Sequence, residues 1–188
     1  MYKQCRTEQS AARQRELLIG LQQAMNQTHY DEITVSSLCD QMQIPRKSFY
    51  RYFSSKEGAL HALIDYTLMD FDSFTENWMK GDDSTQEELE RMFAYWYHKK
   101  DFLDALAKSN LSGVLVQRAI GHTTLETMQY RRFLPLEEQH AQEYCMLFAV
   151  TGLMSMVIQW HQDAYPQTPR QMAQIAMHLV THLTQSKQ

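Results

Sequence analysis

Apolar residues recur along this chain with the period of amphipathic helices, and short polar clusters interrupt them. From Ser10 to Gln27, Leu17, Leu18, Leu21, Ala24 and Met25 predict a first helix. After the connection His29-Tyr30-Asp31-Glu32, Thr34 reads as an N-cap whose hydroxyl accepts from a free amide of the next turn. Val35, Leu38, Cys39 and Met42 then fall at i, i+3, i+4 and i+7, one buried face of a short helix. Gln43 and Ile44 form a turn, and Pro45 suits the first position of another helix. Phe49 and Phe53 repeat at i, i+4 and lock that helix onto its predecessor. Ser54-x-x-Glu57 reads as a capping box opening a long helix with Leu60, Leu63, Ile64, Leu68 and Phe71 on one face, reaching about Met79.

Lys80-Gly81-Asp82-Asp83 is the clearest break. Ser84-x-x-Glu87 is a second capping box, followed by Leu89, Met92, Phe93, Trp96 and Tyr97, and His98-Lys99-Lys100 suits that helix's negative pole. Residues 101–134 divide into two or more shorter helices, with bends permitted at Gly113 and Gly121. Pro135 opens a helix to about His161 whose apolar residues cover more than one face, so burial on two sides is expected. Tyr165-Pro166-Gln167 is a turn, after which Thr168 caps a last helix with Pro169 at its first position. Met172, Ile175, Ala176, Leu179, Val180 and Leu183 are that helix's stripe. Residues 1–8 are polar, a frayed arm or one ordered on binding.

Composition narrows this picture. Six glycines and four prolines in 188 residues favour helices over a β-sandwich. No apolar run approaches the ~18–20 residues of a membrane span, and no signal-peptide core opens the chain, so a cytoplasmic location without membrane contact is expected. Cys5, Cys39 and Cys145 are far apart and fit no zinc or redox motif, which reads as reduced thiols. Formal charge is −4, but residues 1–60 carry eight Lys and Arg against six Asp and Glu. A nucleic-acid contact therefore belongs to the first third.

The stretch from Gln43 to Lys56 holds four basic residues and no acidic one. With Phe49 and Phe53 inward, Arg46, Lys47, Ser48, Tyr50, Arg51 and Tyr52 look outward. Cations neutralise phosphates, hydroxyls bond phosphate oxygens, and the first residues of a helix reach base edges in a major groove. A solvated basic face on a structural hairpin is the plain alternative.

Ile33-Thr34-Val35, Leu38, Phe49-Tyr50-Arg51-Tyr52-Phe53 and Ser55-Lys56-Glu57 together resemble the signature of the tetracycline-repressor (TetR) family of bacterial regulators, over roughly residues 10–70. The resemblance implies an all-α homodimer: an N-terminal three-helix helix-turn-helix domain (1–58, motif about 34–53, linking helix 55–79) and a C-terminal helical effector and dimerisation domain (80–188). It implies that Thr34 and Ser36 open the support helix, that Arg46, Lys47 and Lys56 neutralise phosphates, that Tyr50 and Tyr52 fix register, and that Ser48 and Arg51 reach bases. It also implies a ligand cavity, for which Phe74, Trp78, Phe93, Trp96, Tyr97, Phe102, Met128 and Tyr130 are candidates; such a set is equally a core. Arg6, Arg13 and Arg15 are near enough in sequence to reach a backbone or minor groove.

The chain departs from the family pattern at four positions. The family usually has glycine where Gln43 stands, because that residue takes φ > 0, so Gln43 costs ~1 kcal/mol. Pro45 replaces a Ser or Thr that caps the recognition helix and bonds phosphate. Cys39 and Met42 replace small alanines. His178 and His182 stand at i, i+4, but no carboxylate or cysteine completes a metal motif. No glycine-rich phosphate loop, G-x-S-x-G or H-E-x-x-H occurs, which speaks against catalysis, and nothing calls for a cofactor. The expected function is operator binding, as a repressor, tuned by a small-molecule effector. The alternative is a TetR-like coactivator or adaptor acting through protein contacts without binding DNA.

Overall fold

The computed structural model describes residues 2, 3, 5, 7–76, 84–122 and 139–185, the side chains of 76, 139–142 and 180–185 excepted. Within them the chain is all-α: nine α-helices and one 3-10 turn, with no strand. They fall into two compact units. The first holds Met1–Met69 and Asp101–Arg118, the second Asp70–Lys100 and Ala119–Gln188. The expected division is a domain of residues 1–58, a linking helix 55–79 and a second domain 80–188; the compact units instead part at Met69/Asp70, and Asp101–Arg118 joins the first.

In the first unit, α1 (Glu8–Gln27) starts at Thr7, whose Oγ1 accepts from the Ser10 amide at 3.2 Å. Its stripe, Leu17, Leu18, Leu21, Ala24 and Met25, is buried as expected. Each large apolar chain so buried contributes about 1.5–3 kcal/mol, far more than helix propensity does. Gln14 stands at the head of the same stripe and is also fully buried. A 3-10 turn (Tyr30–Glu32) leads to α2 (Val35–Gln41), then α3 (Arg46–Tyr50) and α4 (Lys56–Glu76). The cap of α4 is Ser55 rather than Ser54: Ser55 Oγ accepts from the Gly58 amide at 3.0 Å and its carbonyl from Ala59. The first helical residue is thus Lys56, which shifts the cap one place.

The segments α6 (Lys100–Lys108) and α7 (Ser112–His122) were expected as short helices of the C-terminal domain. From Asp101 to Arg118 they belong with the N-terminal helices. Lys108 Nζ donates to the Asn26 and Gln27 carbonyls at 3.0 and 2.7 Å. Helix α1 has no basic residue in its last turn, so a lysine from α6 supplies the cation that its negative pole favours. Ser109 Oγ accepts from the buried Tyr30 amide at 2.8 Å. Asn110 (φ 57°) lets the chain leave α6.

The N-terminal arm departs from the frayed reading. Tyr2 pairs with Phe53 in an isolated antiparallel bridge, and the Lys3 amide donates to the Tyr52 carbonyl at 3.0 Å. Gln14 Nε2 donates to the Lys3 carbonyl at 3.0 Å, while its Oε1 accepts from Tyr66 Oη and Cys5 Sγ. Those bonds explain the buried amide.

In the second unit, α5 (Thr85–His98) carries the expected box: Ser84 Oγ accepts from the Glu87 amide and Glu87 Oε2 from the Ser84 amide at 2.8 Å. Met92, Phe93, Tyr95 and Trp96 are buried. Helix α9 (Pro169–Gln185) is capped by Thr168, with Gln171 Oε1 accepting from the Thr168 amide at 2.8 Å. Between α8 (Gln139–Gln162) and α9, Ala164 and Tyr165 both take φ 59°, and Trp160 Nε1 donates to the Gln167 carbonyl at 3.0 Å. The helix start expected at Pro135 lies outside the described residues.

Helix α8 corrects two expectations. Within this chain it is buried on one side, through Met154, Val157 and Trp160, while Tyr144 and Phe148 are 74% and 67% exposed. Its segment Glu143–Gln162 is also long and apolar enough to cross a membrane by length and composition, with mean hydropathy 1.2. Scattered Thr, Ser, Gln and His residues hid this from a reading that looked for an unbroken apolar run.

Candidate nucleic-acid interface

The interface is built on two short helices and the turn between them. Thr34 opens α2 by a capping box: its Oγ1 accepts from the Ser37 amide at 3.0 Å, and Ser37 Oγ accepts from the Thr34 amide at 3.0 Å. Leu38 and Cys39 are buried, Val35 and Met42 partly so. Met42 packs against Gly20 of α1, where an added Cβ would meet its Sδ at 2.4 Å. The larger methionine in the support helix is thus matched by a missing side chain opposite.

The turn takes the left-handed conformation expected of it. Gln43 has φ 54°, its amide donates to Asp40, and the Ile44 amide reaches back to Cys39 at 2.9 Å. Pro45 is extended (φ −64°, ψ 139°) and occupies the N-cap position, one residue before the place expected. Its side chain caps nothing, and its carbonyl accepts from the Ser48 amide at 2.8 Å. Phe49 and Phe53 are fully buried, with ring centroids 5.2 Å apart. They fix which face of α3 turns outward.

That face carries exposed Arg46, Lys47 and Arg51, a half-buried Ser48, and Tyr50 at 52% exposure. Thr34 is exposed and Ser36 half-buried at the start of α2. Tyr52 was expected beside Tyr50 but is buried, at 6% exposure. Tyr52 stands at i+3 from Phe49, and the Arg51, Tyr52 and Phe53 amides still donate to the Lys47 and Phe49 carbonyls. The continued turn puts its ring on the buried Phe49–Phe53 face, while its carbonyl meets the arm. Arg51 stays outside, its guanidinium 5.9 Å from the Tyr52 ring centre.

Lys56 is half-buried. Its Nζ donates to the Tyr30 carbonyl at 2.6 Å and lies 4.1 Å from the Tyr30 ring centre. Burial pushes its pKa down. One of its three protons is engaged, so the ammonium is oriented, with donors left for another acceptor. Burial, followed by the nearby Glu57 and Asp31, pushes the Tyr30 phenol up to about 12, so it stays neutral.

The proposed cavity residues scatter. Phe102 is buried in the first unit, whereas Phe74, Phe93, Trp96 and Tyr97 belong to the second. Trp78, Met128 and Tyr130 lie outside the described residues. In the second unit α5 is sheathed by rings on two faces. Phe93 and Tyr97 pack on Trp160 at 5.7 and 5.9 Å, with Tyr165 5.0 Å from Tyr97. Tyr95 and Trp96 pack on Phe71 at 5.1 and 5.7 Å. Tyr97 and Phe74 remain 42% and 38% exposed. The Trp96 ring is fully buried and its indole N–H has no hydrogen-bond partner among the described residues. Trp160 and Tyr165 belong to this aromatic set but fell on other predicted elements, and Phe71, on the same predicted helix as Phe74, was read only as part of its apolar stripe. Among the described residues no group of three or more His, Cys, Asp and Glu could hold a metal. His178 is exposed, and the side chain of His182 lies outside the described residues.

Comparison with known proteins bears on the whole chain. The family model described as "Transcriptional regulator C-terminal region", of TetR type, matches residues 83–182. No curated protein matches the sequence. Among solved structures, the chain is similar to the fatty acid degradation regulator FadR from Bacillus halodurans, at 12% identity and TM-score 0.60, covering 89% of this chain and 94% of that one. It is similar to the dihydroxyacetone kinase operon activator DhaS, at 13% identity and TM-score 0.58, covering 91% and 95%. A TetR/AcrR-family regulator from Thermobifida fusca YX-ER1 aligns at 13% identity and TM-score 0.52, over 94% and 100%. At such identities the structural likeness shows the fold, while the family match extends over more than half of the chain. The chain belongs to the TetR family of transcriptional regulators, a non-enzymatic family whose members bind DNA operators.

Proposed function

We propose that this regulator binds its operator through α3 as a homodimer, acts as a repressor, and is released by a small apolar effector held in the second unit. The carrying observation is the outward face of α3: cations and a phenol on a helix that buried Phe49, with Phe53 just beyond it, anchors to the core, in a stretch without one acidic residue. Arg46 and Lys47 neutralise phosphates, Tyr50 sets register, Ser48 and Arg51 reach base edges, and Thr34, Ser36 and Lys56 hold the backbone. Tyr52 takes no direct part.

The dimer is supported by the apolar surplus of α8 and α9. Tyr144, Leu147, Phe148, Ile175 and Leu179 are each more than two-fifths exposed, an apolar set of the kind that marks an interface. A second copy covers it without the membrane that the same apolar length would otherwise suit. Two recognition helices roughly 34 Å apart then meet successive major grooves. Effector binding is supported by the Trp96 indole N–H. A buried donor left unpaired costs about 1–3 kcal/mol, which an acceptor oxygen on an otherwise apolar ligand would recover.

Gel shift of the purified protein on the DNA upstream of its own gene, against unrelated DNA of equal length, tests this reading. The expected result is a complex at lower protein concentration on the upstream fragment. Pro45, which presents no hydroxyl, favours a second reading: an adaptor working through protein contacts. Equal, weak retardation of both fragments would favour the adaptor.

A further inference from the structure

Asp65 is 2% exposed on α4, inside the apolar packing of the first unit. A buried carboxylate is tolerated only when paired and hydrogen-bonded. Its partners come from two distant parts of the chain. Arg118 of α7 donates to both oxygens through its guanidinium fork, and the Tyr2 hydroxyl donates to Oδ2 at 2.8 Å. The aspartate holds the Arg118 guanidinium above its ordinary range. Burial, then the bond to Asp65, pushes the Tyr2 phenol up to about 12, so it remains a donor at neutral pH.

The arm bearing Tyr2 is itself attached to the exit of α3. Tyr2 bridges Phe53, the Lys3 amide donates to the Tyr52 carbonyl, and Gln14 holds the Lys3 carbonyl from α1. Arg118 is the last residue of the first unit, on a helix that runs on to His122. One chain of contacts thus runs from α7 through Asp65 and Tyr2 to the residues that close the recognition helix.

We propose that Tyr2 is a positioning residue for DNA binding: the arm is a strap over the exit of α3, and the Asp65–Arg118 pair sets how tightly the strap is drawn. The role in DNA binding rests on the function proposed above; the mechanical link does not. Tyr2→Phe removes one hydroxyl and leaves the backbone bridge to Phe53 in place. Arg118→Met removes the fork, and Lys3→Pro removes the strap's donated amide without touching Asp65.

Hydrogen exchange on the full chain tests the link without DNA. Tyr2→Phe should speed exchange at the Lys3, Tyr52 and Phe53 amides on the order of tenfold, the loss of a bond to a charged acceptor, and leave α9 amides unchanged. Arg118→Met should do the same, and the double variant should exceed neither single one by much, since both act through Asp65. Lys3→Pro should reproduce the effect at Tyr52 and Phe53 even if Arg118→Met fails to fold. Unchanged exchange in Tyr2→Phe, or single effects that multiply, would overturn the strap. On upstream DNA, Tyr2→Phe should weaken binding with the salt slope unaltered. A reduced slope would instead make the arm a direct phosphate contact and refute the positioning role. If wild-type protein binds no DNA, the function fails while the exchange result still decides the strap.

Discussion

Tyr50 and Tyr52 show how much one residue of helical phase decides. Both are phenols two places apart in a basic stretch, yet one is half exposed and the other buried. Tyr52 falls at i+3 from the buried Phe49, and Tyr50 is about 200° away from it, on the other side of the turn. Tyr50→Ala is therefore expected to weaken operator binding while thermal unfolding stays within about 0.5 kcal/mol of wild type. Calorimetry alongside a binding isotherm checks it; a large loss of stability would place Tyr50 in the core. Gln43 was legible as a left-handed turn residue from the sequence, since a glycine is usual there, and its φ of 54° agrees. Gln43→Gly should stabilise by up to about 1 kcal/mol in urea unfolding. Lys56 was read as a phosphate contact, but its bond to the Tyr30 carbonyl could not be foreseen, because it joins positions 26 residues apart through a turn. Lys56→Ala should lower the salt slope by about one per subunit and also loosen that turn.

At the scale of elements, caps and stripes were the readable part. Thr34, Ser84 and Thr168 each open a helix as their spacing foretold, because a cap is a local bond over three residues. Buried polar residues were not readable. Gln14 is a polar residue in line with the α1 stripe and Asp65 lies on the flank of the α4 stripe, and only partners from the arm, α4 and α7 make their burial tolerable. Asp70 gives the elements of the second unit a pH signature. Lys99 Nζ, 2.7 Å away, holds its carboxyl below the usual range against the opposing effect of burial, with Tyr95 adding a second bond. Because the folded pKa is the depressed one, this stabilisation is complete above the unfolded value of about 3.9 and is lost as pH falls through the folded value. Asp70 is 59% exposed, so the effect is modest, ~0.2–1 kcal/mol. Asp70→Asn should narrow the stability gap between pH 6 and strong acid, roughly to that extent, in paired urea titrations. An unchanged gap would show that the pair contributes nothing.

For the whole molecule, the all-α architecture followed from periodicity, whereas the two-unit division did not. Packing of α6 and the start of α7 with the N-terminal helices depends on Lys108, Ser109 and Arg118 finding carbonyls, an amide and a carboxylate far away in sequence. The apolar exposed side of α8 was legible as a surplus, and its cover by a second copy predicts a dimer by light scattering. Phe148→Glu should shift it to monomer without loss of helix content. The account turns most on whether the outward face of α3 meets phosphates. Anisotropy of labelled upstream DNA, titrated with the wild type and with the Arg46→Ala, Lys47→Ala variant between about 50 and 200 mM salt, measures that directly. The account predicts a wild-type affinity that falls steeply with salt and a variant slope shallower by about two per subunit. Parallel slopes, or a wild-type affinity indifferent to salt, would contradict it.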